Sequence, residues 1–260
     1  MTAQVLVRRR RITPWLWRYG EPVYDMSRPA FVLVPFAGGS VYSVAEWTSH
    51  LMAEGHGVFA VQYPGRGPRV TEPHAREMAV LANNAAADLL RHSEAPLVLI
   101  GHSMGGAVAH EIAVRLEAAG RQVDLLVVSA ARPPGFNRIS EEQVLAMDRA
   151  AWQEELATTG FGEDHLLTQP EVLDTVIPVL RADYLLLSRH TEPTGIVTTP
   201  ILAMGGDQDP RVTPKHLSAW ANLTTGECAT AVLPGGHFYY RDHLATFSRL
   251  IHRAMSQVRS

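Results

Sequence analysis

A single cysteine, Cys228, is all the thiol chemistry in this chain of 260 residues. A lone cysteine cannot close an internal disulfide, so the fold must rest on its core, and a reducing, cytoplasmic setting is the expectation. Long apolar runs are missing too. Nothing approaches the ~18 residues of a membrane-spanning helix. The stretch Ile12-Thr13-Pro14-Trp15-Leu16-Trp17, which follows Arg8, Arg9, Arg10 and Arg11, resembles the start of an export signal. It stops at Arg18, short of the about 7–15 apolar residues such a signal needs. Neither charge is in surplus: 23 Lys and Arg against 26 Asp and Glu give a net charge of −3. That balance gives no case for nucleic acid as a partner. There is no H-x-H, H-E-x-x-H or paired cysteine spacing, so a metal site is unsupported. No G-x-G-x-x-G opens a βαβ unit, and no glycine-rich turn ends in G-K-[S/T], so neither a dinucleotide nor a P-loop phosphate site is expected. No cofactor is expected.

What is present is ordinary for a folded protein: 46% hydrophobic and 19% charged residues, in a chain long enough for one sizeable core. Short, continuously apolar runs recur at Phe31–Phe36, Gly57–Tyr63, Leu97–Gly101, Leu125–Ala130, Ile201–Met204 and Ala229–Leu233. Strands that do not alternate are buried on both faces, as in a mainly parallel sheet. Amphipathic segments lie between them, at about Val44–Glu54, His74–His92, Met104–Ala119 and Pro214–Asn222, and a last one covers His243–Val258. In the third, Val108, Ile112 and Leu116 recur at four-residue spacing, and Gly120 stands where a helix is capped. The alternation predicts an α/β fold, a central sheet flanked by helices. Val5–Arg11 could add an antiparallel edge strand. Ala131–Pro200 breaks the rhythm. A structureless loop of that length is improbable, and helical patterns occur at Glu141–Thr158 and Glu171–Arg189, so residues 131–199 are expected to form a helical lid inserted in a single domain spanning 1–260.

Gly101-His102-Ser103-Met104-Gly105-Gly106 follows an apolar run and opens a helical one. This is the strand–turn–helix setting of a G-x-S-x-G nucleophile elbow, in which a strained turn presents the serine hydroxyl at the sheet edge. The Met104 N–H, at the helix N-terminus, would face developing negative charge. On such a fold the chain order is Ser, then Asp or Glu, then His. His237 in Gly235-Gly236-His237-Phe238 follows the last strand and is the expected base; His243 is the rival, and His102 is expected to point away along the elbow. Two acids follow the preceding strand in Gly205-Gly206-Asp207-Gln208-Asp209-Pro210. Asp209 is the preferred orienting acid, and Asp207 could instead brace the turn. A second oxyanion donor is expected from Pro35-Phe36-Ala37-Gly38-Gly39-Ser40, with the Ala37 amide as the candidate and Phe36 or Gly38 as alternatives of register. Cys228 reads as a small packed hydrophobe.

Five segments occur in order: Pro35-Phe36-Ala37-Gly38-Gly39, Tyr63-Pro64-Gly65-Arg66-Gly67-Pro68-Arg69, the elbow, Arg181-Ala182-Asp183-Tyr184 and Gly235-Gly236-His237-Phe238. On these the chain resembles the type II thioesterases, the stand-alone editing hydrolases of polyketide and nonribosomal peptide assembly lines. The resemblance runs over about residues 30–255 and leaves Trp15 and Trp17 outside it. It implies an α/β-hydrolase core with a helical lid. It also implies hydrolysis of acyl or aminoacyl thioesters on the phosphopantetheine arm of acyl or peptidyl carrier proteins, by a monomer. Ser103 would be the nucleophile, His237 the base and Asp209 the acid, with the Ala37 and Met104 amides as oxyanion hole. The alternatives are a carboxylesterase-type hydrolase, acyl transfer or product release by the same three residues, and a binding protein that has lost its chemistry. Gly160, Gly162 and Gly195 are candidate lid hinges. Arg66, Arg69, Arg138 and the N-terminal arginines are candidate contacts for an acidic carrier protein.

Overall fold

The computed structural model describes residues 8–20, 25–52, 55–136, 139–161 and 169–258. Its strands are β1 (Arg9–Arg11), β2 (Leu16–Tyr19), β3 (Ala30–Val34), β4 (Val58–Val61), β5 (Leu97–His102), β6 (Val123–Ser129), β7 (Ile201–Gly206) and β8 (Cys228–Leu233). They form one eight-stranded sheet in the order β1-β2-β4-β3-β5-β6-β7-β8. The pairs from β4 to β8 are parallel, whereas β1–β2 and β2–β4 are antiparallel.

Burial on both faces explains the unbroken apolar strands. Val32, Val34, Leu99, Leu126 and Val128 face one side, with helices α2 (Met78–His92) and α3 (Met104–Ala118). Phe31, Leu33, Ile100, Leu125 and Val127 face the other, with α1 (Ala45–Leu51) and α8 (Leu244–Val258). Val108, Ile112 and Leu116 are fully buried. Gly120 follows α3 at φ +75°, and the Arg121 N–H closes the last turn on the Leu116 carbonyl at 2.8 Å. The expected α/β core is therefore present. Of the apolar stretch Ile12–Trp17, the last two residues open β2, whose Leu16 and Tyr19 are buried beside β4. The edge strand expected at Val5–Arg11 is observed as β1; residues 5–7 lie outside the described residues.

Between β6 and β7 the chain forms α4 (Glu141–Ala146), α5 (Arg149–Thr159) and α6 (Pro170–Arg189), and α7 (Pro214–Ala219) follows β7. The helix expected over Glu141–Thr158 is two helices. Asp148 interrupts it, because its carboxylate accepts the Ala151 N–H at 2.9 Å and starts a new N-terminus. Along α6 the buried stripe is Leu173, Ile177, Leu180, Asp183 and Leu186, an apolar face with one carboxylate in it.

Candidate active site

Ser103 has φ 54° and ψ −121°, a strained conformation for a side chain other than glycine. Its surroundings enforce it. A Cβ on Gly101 would stand 2.0 Å from the Gly105 carbonyl oxygen, and one on Gly105 would stand 2.2 Å from that of Val34. The helix therefore starts hard against β3 and β5, and only glycine fits at these positions. The Ser103 N–H is anchored on the Ser129 carbonyl at 2.8 Å.

The loops after β7 and β8 bring the expected base and acid together. His237 Nδ1 lies 2.8 Å from Asp209 Oδ2, and both side chains are buried. Asp209 Oδ1 accepts the N–H groups of Arg211 at 2.7 Å and Val212 at 3.2 Å, which fixes the carboxylate. Asp207 acts elsewhere. Its Oδ1 accepts the Gly235 N–H at 2.9 Å and ties the acid loop to the base loop. The two loops touch so closely that a Cβ on Gly206 would lie 2.2 Å from the Gly235 oxygen. His243 is the residue before α8 and has no such acid partner in the described geometry; its N–H donates to Tyr240 O at 2.9 Å.

The loop after β3 is held at several points. Tyr63 OH donates to the Pro35 carbonyl at 2.9 Å, and Val41 N–H donates to Gln62 Oε1 at 3.1 Å. The Gly38 N–H donates to Asp183 Oδ2 on α6 at 2.7 Å. The same carboxylate is gripped by Arg66, whose Nη1 meets Oδ2 and whose Nη2 lies 2.7 Å from Oδ1. With the Gly38 amide committed to Asp183, the Ala37 N–H is left pointing to no acceptor among the described residues, as is that of Met104 at the start of α3.

A thioesterase domain model matches residues 29–255. The chain belongs to the thioesterase family. It is 33% identical over 242 residues to a probable cadicidin biosynthesis thioesterase of Streptomyces griseus, covering 93% of this chain and 66% of that protein. It is 32% identical over 240 residues to phenyloxazoline synthase MbtB of Mycobacterium tuberculosis, covering 92% of this chain and 16% of that one. The chain thus spans less than two thirds of both relatives. Among solved structures, the type II thioesterase BorB from the borrelidin biosynthetic cluster superposes with a TM-score of 0.83 at 30% identity, over 95% of this chain and 99% of that one. The resemblance to type II thioesterases read from the five motifs holds, and the sheet is that of an α/β hydrolase.

In this member of the thioesterase family a cavity of about 130 Å³ opens beside Ser103 and His237, between α3 and the inserted helices, with Met104, Ile139 and Leu187 among its walls. A second, smaller hollow of about 20 Å³ lies toward Ala37, Phe161 and Leu180. Glu155 and Tyr184 line both. Tyr184 OH donates to Glu155 Oε1 at 2.6 Å, and Arg211 pairs with Oε2. Burial, with the Glu155 charge beside it, raises the Tyr184 pKa, so the phenol stays protonated.

One expectation needs correction. Arg66 and Arg69 are only 5% and 6% exposed, so neither offers a surface to a carrier protein. Arg69 is bound to Glu72 and to the Gln62 carbonyl and lies over the Trp15 ring at 4.1 Å. Arg138 and Gly162 lie outside the described residues. His102 is fully buried among the rings of Phe36, Trp47, Phe238 and Tyr240, and its ring lies beside that of His237, centroids 5.1 Å apart. Its Nδ1 is 3.1 Å from Ser129 Oγ, itself 2.9 Å from Tyr239 OH. Burial, then the nearby His237 and Arg241, hold the His102 pKa well below the usual value, so the ring stays neutral. Gly160 caps α5 at φ +68°, and a Cβ on Gly195 would lie 3.0 Å from the Val114 side chain. Among the described residues no cluster of His, Cys, Asp and Glu is arranged to hold a metal, and no helix is long and apolar enough to cross a membrane. Sequence reasoning misses Asp183 as a partner of the site; a carboxylate on the apolar stripe of α6 is the signal that could have found it.

Proposed function

We propose that this thioesterase hydrolyses acyl or aminoacyl thioesters presented on the phosphopantetheine arm of acyl or peptidyl carrier proteins, through an acyl-serine on Ser103. One observation carries the reading: a buried His237–Asp209 pair at 2.8 Å borders the same cavity as the strained Ser103. Asp209 occupies Nδ1, which leaves Nε2 to take the Ser103 proton as the hydroxyl attacks the thioester carbonyl. The tetrahedral oxyanion rests on the Ala37 and Met104 N–H groups. The pantetheine thiol leaves, protonated by His237. Water activated by the same ring then attacks the acyl-serine and frees the acid.

Residues 131–199 act as a lid in this reading, with α5 and α6 roofing the cavity and the whole chain working as one domain. The cavity of about 130 Å³ suits a short acyl group, in keeping with the removal of stalled or mis-primed units. One methylene in such a pocket is worth only about 1–3 kcal/mol, so broad selectivity is expected. The enzyme would act in the cytoplasm as a monomer, with no cofactor of its own.

The test loads a carrier protein with acetyl, a longer acyl and an aminoacyl group and follows release by intact-protein mass spectrometry, with Ser103→Ala alongside. Release by the wild type and none by the variant is the expected result. No release from any carrier, with Ser103 still labelled by a fluorophosphonate, would assign the site to another ester class.

A further inference from the structure

Three of the five segments that carry the family resemblance, those of Gly38, Arg66 and Asp183, lie far apart in sequence, and the hydrolysis uses neither the Arg66 nor the Asp183 segment. In the fold they meet at one buried point. Asp183, 2% exposed, comes from the Arg181-Ala182-Asp183-Tyr184 segment on α6. Arg66 comes from the loop after β4, 117 residues earlier, and Gly38 from the loop after β3, 145 residues earlier. The inserted segment presses on the same spot with apolar groups, Leu180 of α6 and Phe161 just beyond α5. A Cβ on Gly38 would lie 2.9 Å from Leu180 and 3.0 Å from the Phe161 ring, and Gly38 itself has φ +79°.

We propose that Asp183, held and neutralised by Arg66, is a positioning residue for the oxyanion hole: by capturing the Gly38 N–H it sets the direction of the adjacent Ala37 N–H. The proposal rests on Ser103 catalysis with Ala37 as an oxyanion donor. The peptide planes on either side of the Ala37 Cα are coupled through two dihedrals, so a hydrogen bond that fixes the Gly38 amide restricts how the Ala37 amide can tilt. An oxyanion donor works because its direction is set before charge develops. A free carboxylate one residue from the hole would oppose that charge. The two-pronged contact with Arg66 cancels it, and a guanidinium matches a carboxylate in this way where an ammonium does not. The anchoring side chain belongs to an inserted helix rather than to the core. The hole is therefore complete only while α6 is seated on the β3 loop, and seating of the helix and assembly of the hole become one event.

The experiment compares Asp183→Ala, Asp183→Asn, Arg66→Lys and Ser103→Ala with the wild type on a soluble acyl thioester. Active sites are titrated with a fluorophosphonate, so that a misfolded fraction is not counted. A peptidic or alkyl boronic acid, which becomes tetrahedral on the serine, reports on the hole. For Asp183→Ala the expectation is a fall in kcat of about 10²-fold per titrated site, with little change in KM and a rise of similar size in the boronate inhibition constant. Asp183→Asn keeps an acceptor for Gly38 and should lose less, about tenfold. Arg66→Lys should fall between the two. An unchanged kcat per titrated site in Asp183→Ala, or a loss of rate with boronate binding intact, overturns the proposal. If Asp183→Ala does not fold, the near-isosteric Asp183→Asn and Arg66→Lys decide it by the same ratio. Ser103→Ala separates the two ideas: hydrolysis that survives it would refute serine catalysis, whereas its loss beside an unaffected Asp183→Ala would refute only the positioning role.

Discussion

Beneath Ser103 the site is fixed by backbone with no room to move; above it the site is fixed by side chains reaching across the fold. The lower half is the elbow, where Gly101 and Gly105 approach neighbouring carbonyls so closely that a Cβ would lie at 2.0 and 2.2 Å. The upper half is α6 with its Asp183–Arg66 pair and its apolar contacts on Gly38. Steric exclusion is local and unconditional. A buried ion pair is conditional, because each charge is tolerable only while the other is in place. The lower half is thus rigid by construction, and the upper half holds only as long as its helix is seated.

The largest effect should come from adding one carbon below. In Gly105→Ala the new Cβ meets the Val34 and Pro35 carbonyl oxygens at 2.2 and 2.7 Å, which are backbone atoms and cannot rotate away. Helix α3 must lift, carrying Ser103 and the Met104 N–H with it. A displacement of about 1 Å at such a site costs on the order of 10² in rate. Turnover per fluorophosphonate-titrated site measures this, and a variant within threefold of wild type would show that the elbow has slack.

Above, Arg66→Met strips the buried Asp183 of its guanidinium partner. Breaking one half of such a pair costs about 3–5 kcal/mol, read as a fall in urea-unfolding free energy. The double change Arg66→Met with Asp183→Leu should recover most of that stability, because two apolar groups leave no orphaned charge. It should not recover turnover, since the Gly38 N–H still lacks its acceptor. Helix α6 supplies its own control. Its Arg189 pairs with Glu141 at the surface, side chains 42% and 45% exposed, and Arg189→Ala should move stability by no more than about 0.5 kcal/mol. Equal losses at Arg66 and Arg189 would erase the distinction.

The same contrast decides what can be read from the sequence. The elbow is contiguous, and every residue that constrains Ser103 lies within a few positions of it or on a neighbouring strand, so its geometry is written in G-H-S-M-G-G. His237 and Asp209 follow strand ends, which apolar runs mark well. Asp207 and Asp209 are both visible, yet only the packed loops reveal that one binds Gly235 and the other His237. Arg66 and Asp183 stand in plain motifs, but by sequence alone Arg66 reads as a surface contact. Their pairing spans 117 residues and depends on how an inserted helix lies on the core, which no local pattern encodes. Strand β2 escapes for a related reason. Trp15-Leu16-Trp17 is too short to show a period, and the neighbour that buries it, β4, is distant in sequence.

His102 belongs to the rigid half, and its effect is the one that changes with pH. It is fully buried, and with it His110 and His190 are also shifted down, in each case chiefly by burial. A histidine whose folded pKa is lowered binds its proton more readily in the unfolded chain. Its contribution to stability is complete above the unfolded value of about 6.5 and is lost as pH falls below it, by up to about 1.4 kcal/mol per pH unit per site. The wild type should therefore weaken steadily from pH 6.5 to 5.5. His102→Gln keeps a polar group near Ser129 Oγ, 3.1 Å from the ring nitrogen it replaces, but cannot take up a proton. It should be less stable at pH 8, by about 1–3 kcal/mol for the lost ring packing, and yet show a shallower decline below 6.5. Urea unfolding at pH 8.0, 6.5 and 5.5 reads both quantities. Parallel slopes for the two proteins would mean that the buried ring accepts its proton in the folded state. It would then stand as a cation 5.1 Å from His237, opposing the imidazolium that the proposed mechanism requires, and the rigid half of the site would be carrying a charge that its packing argues against.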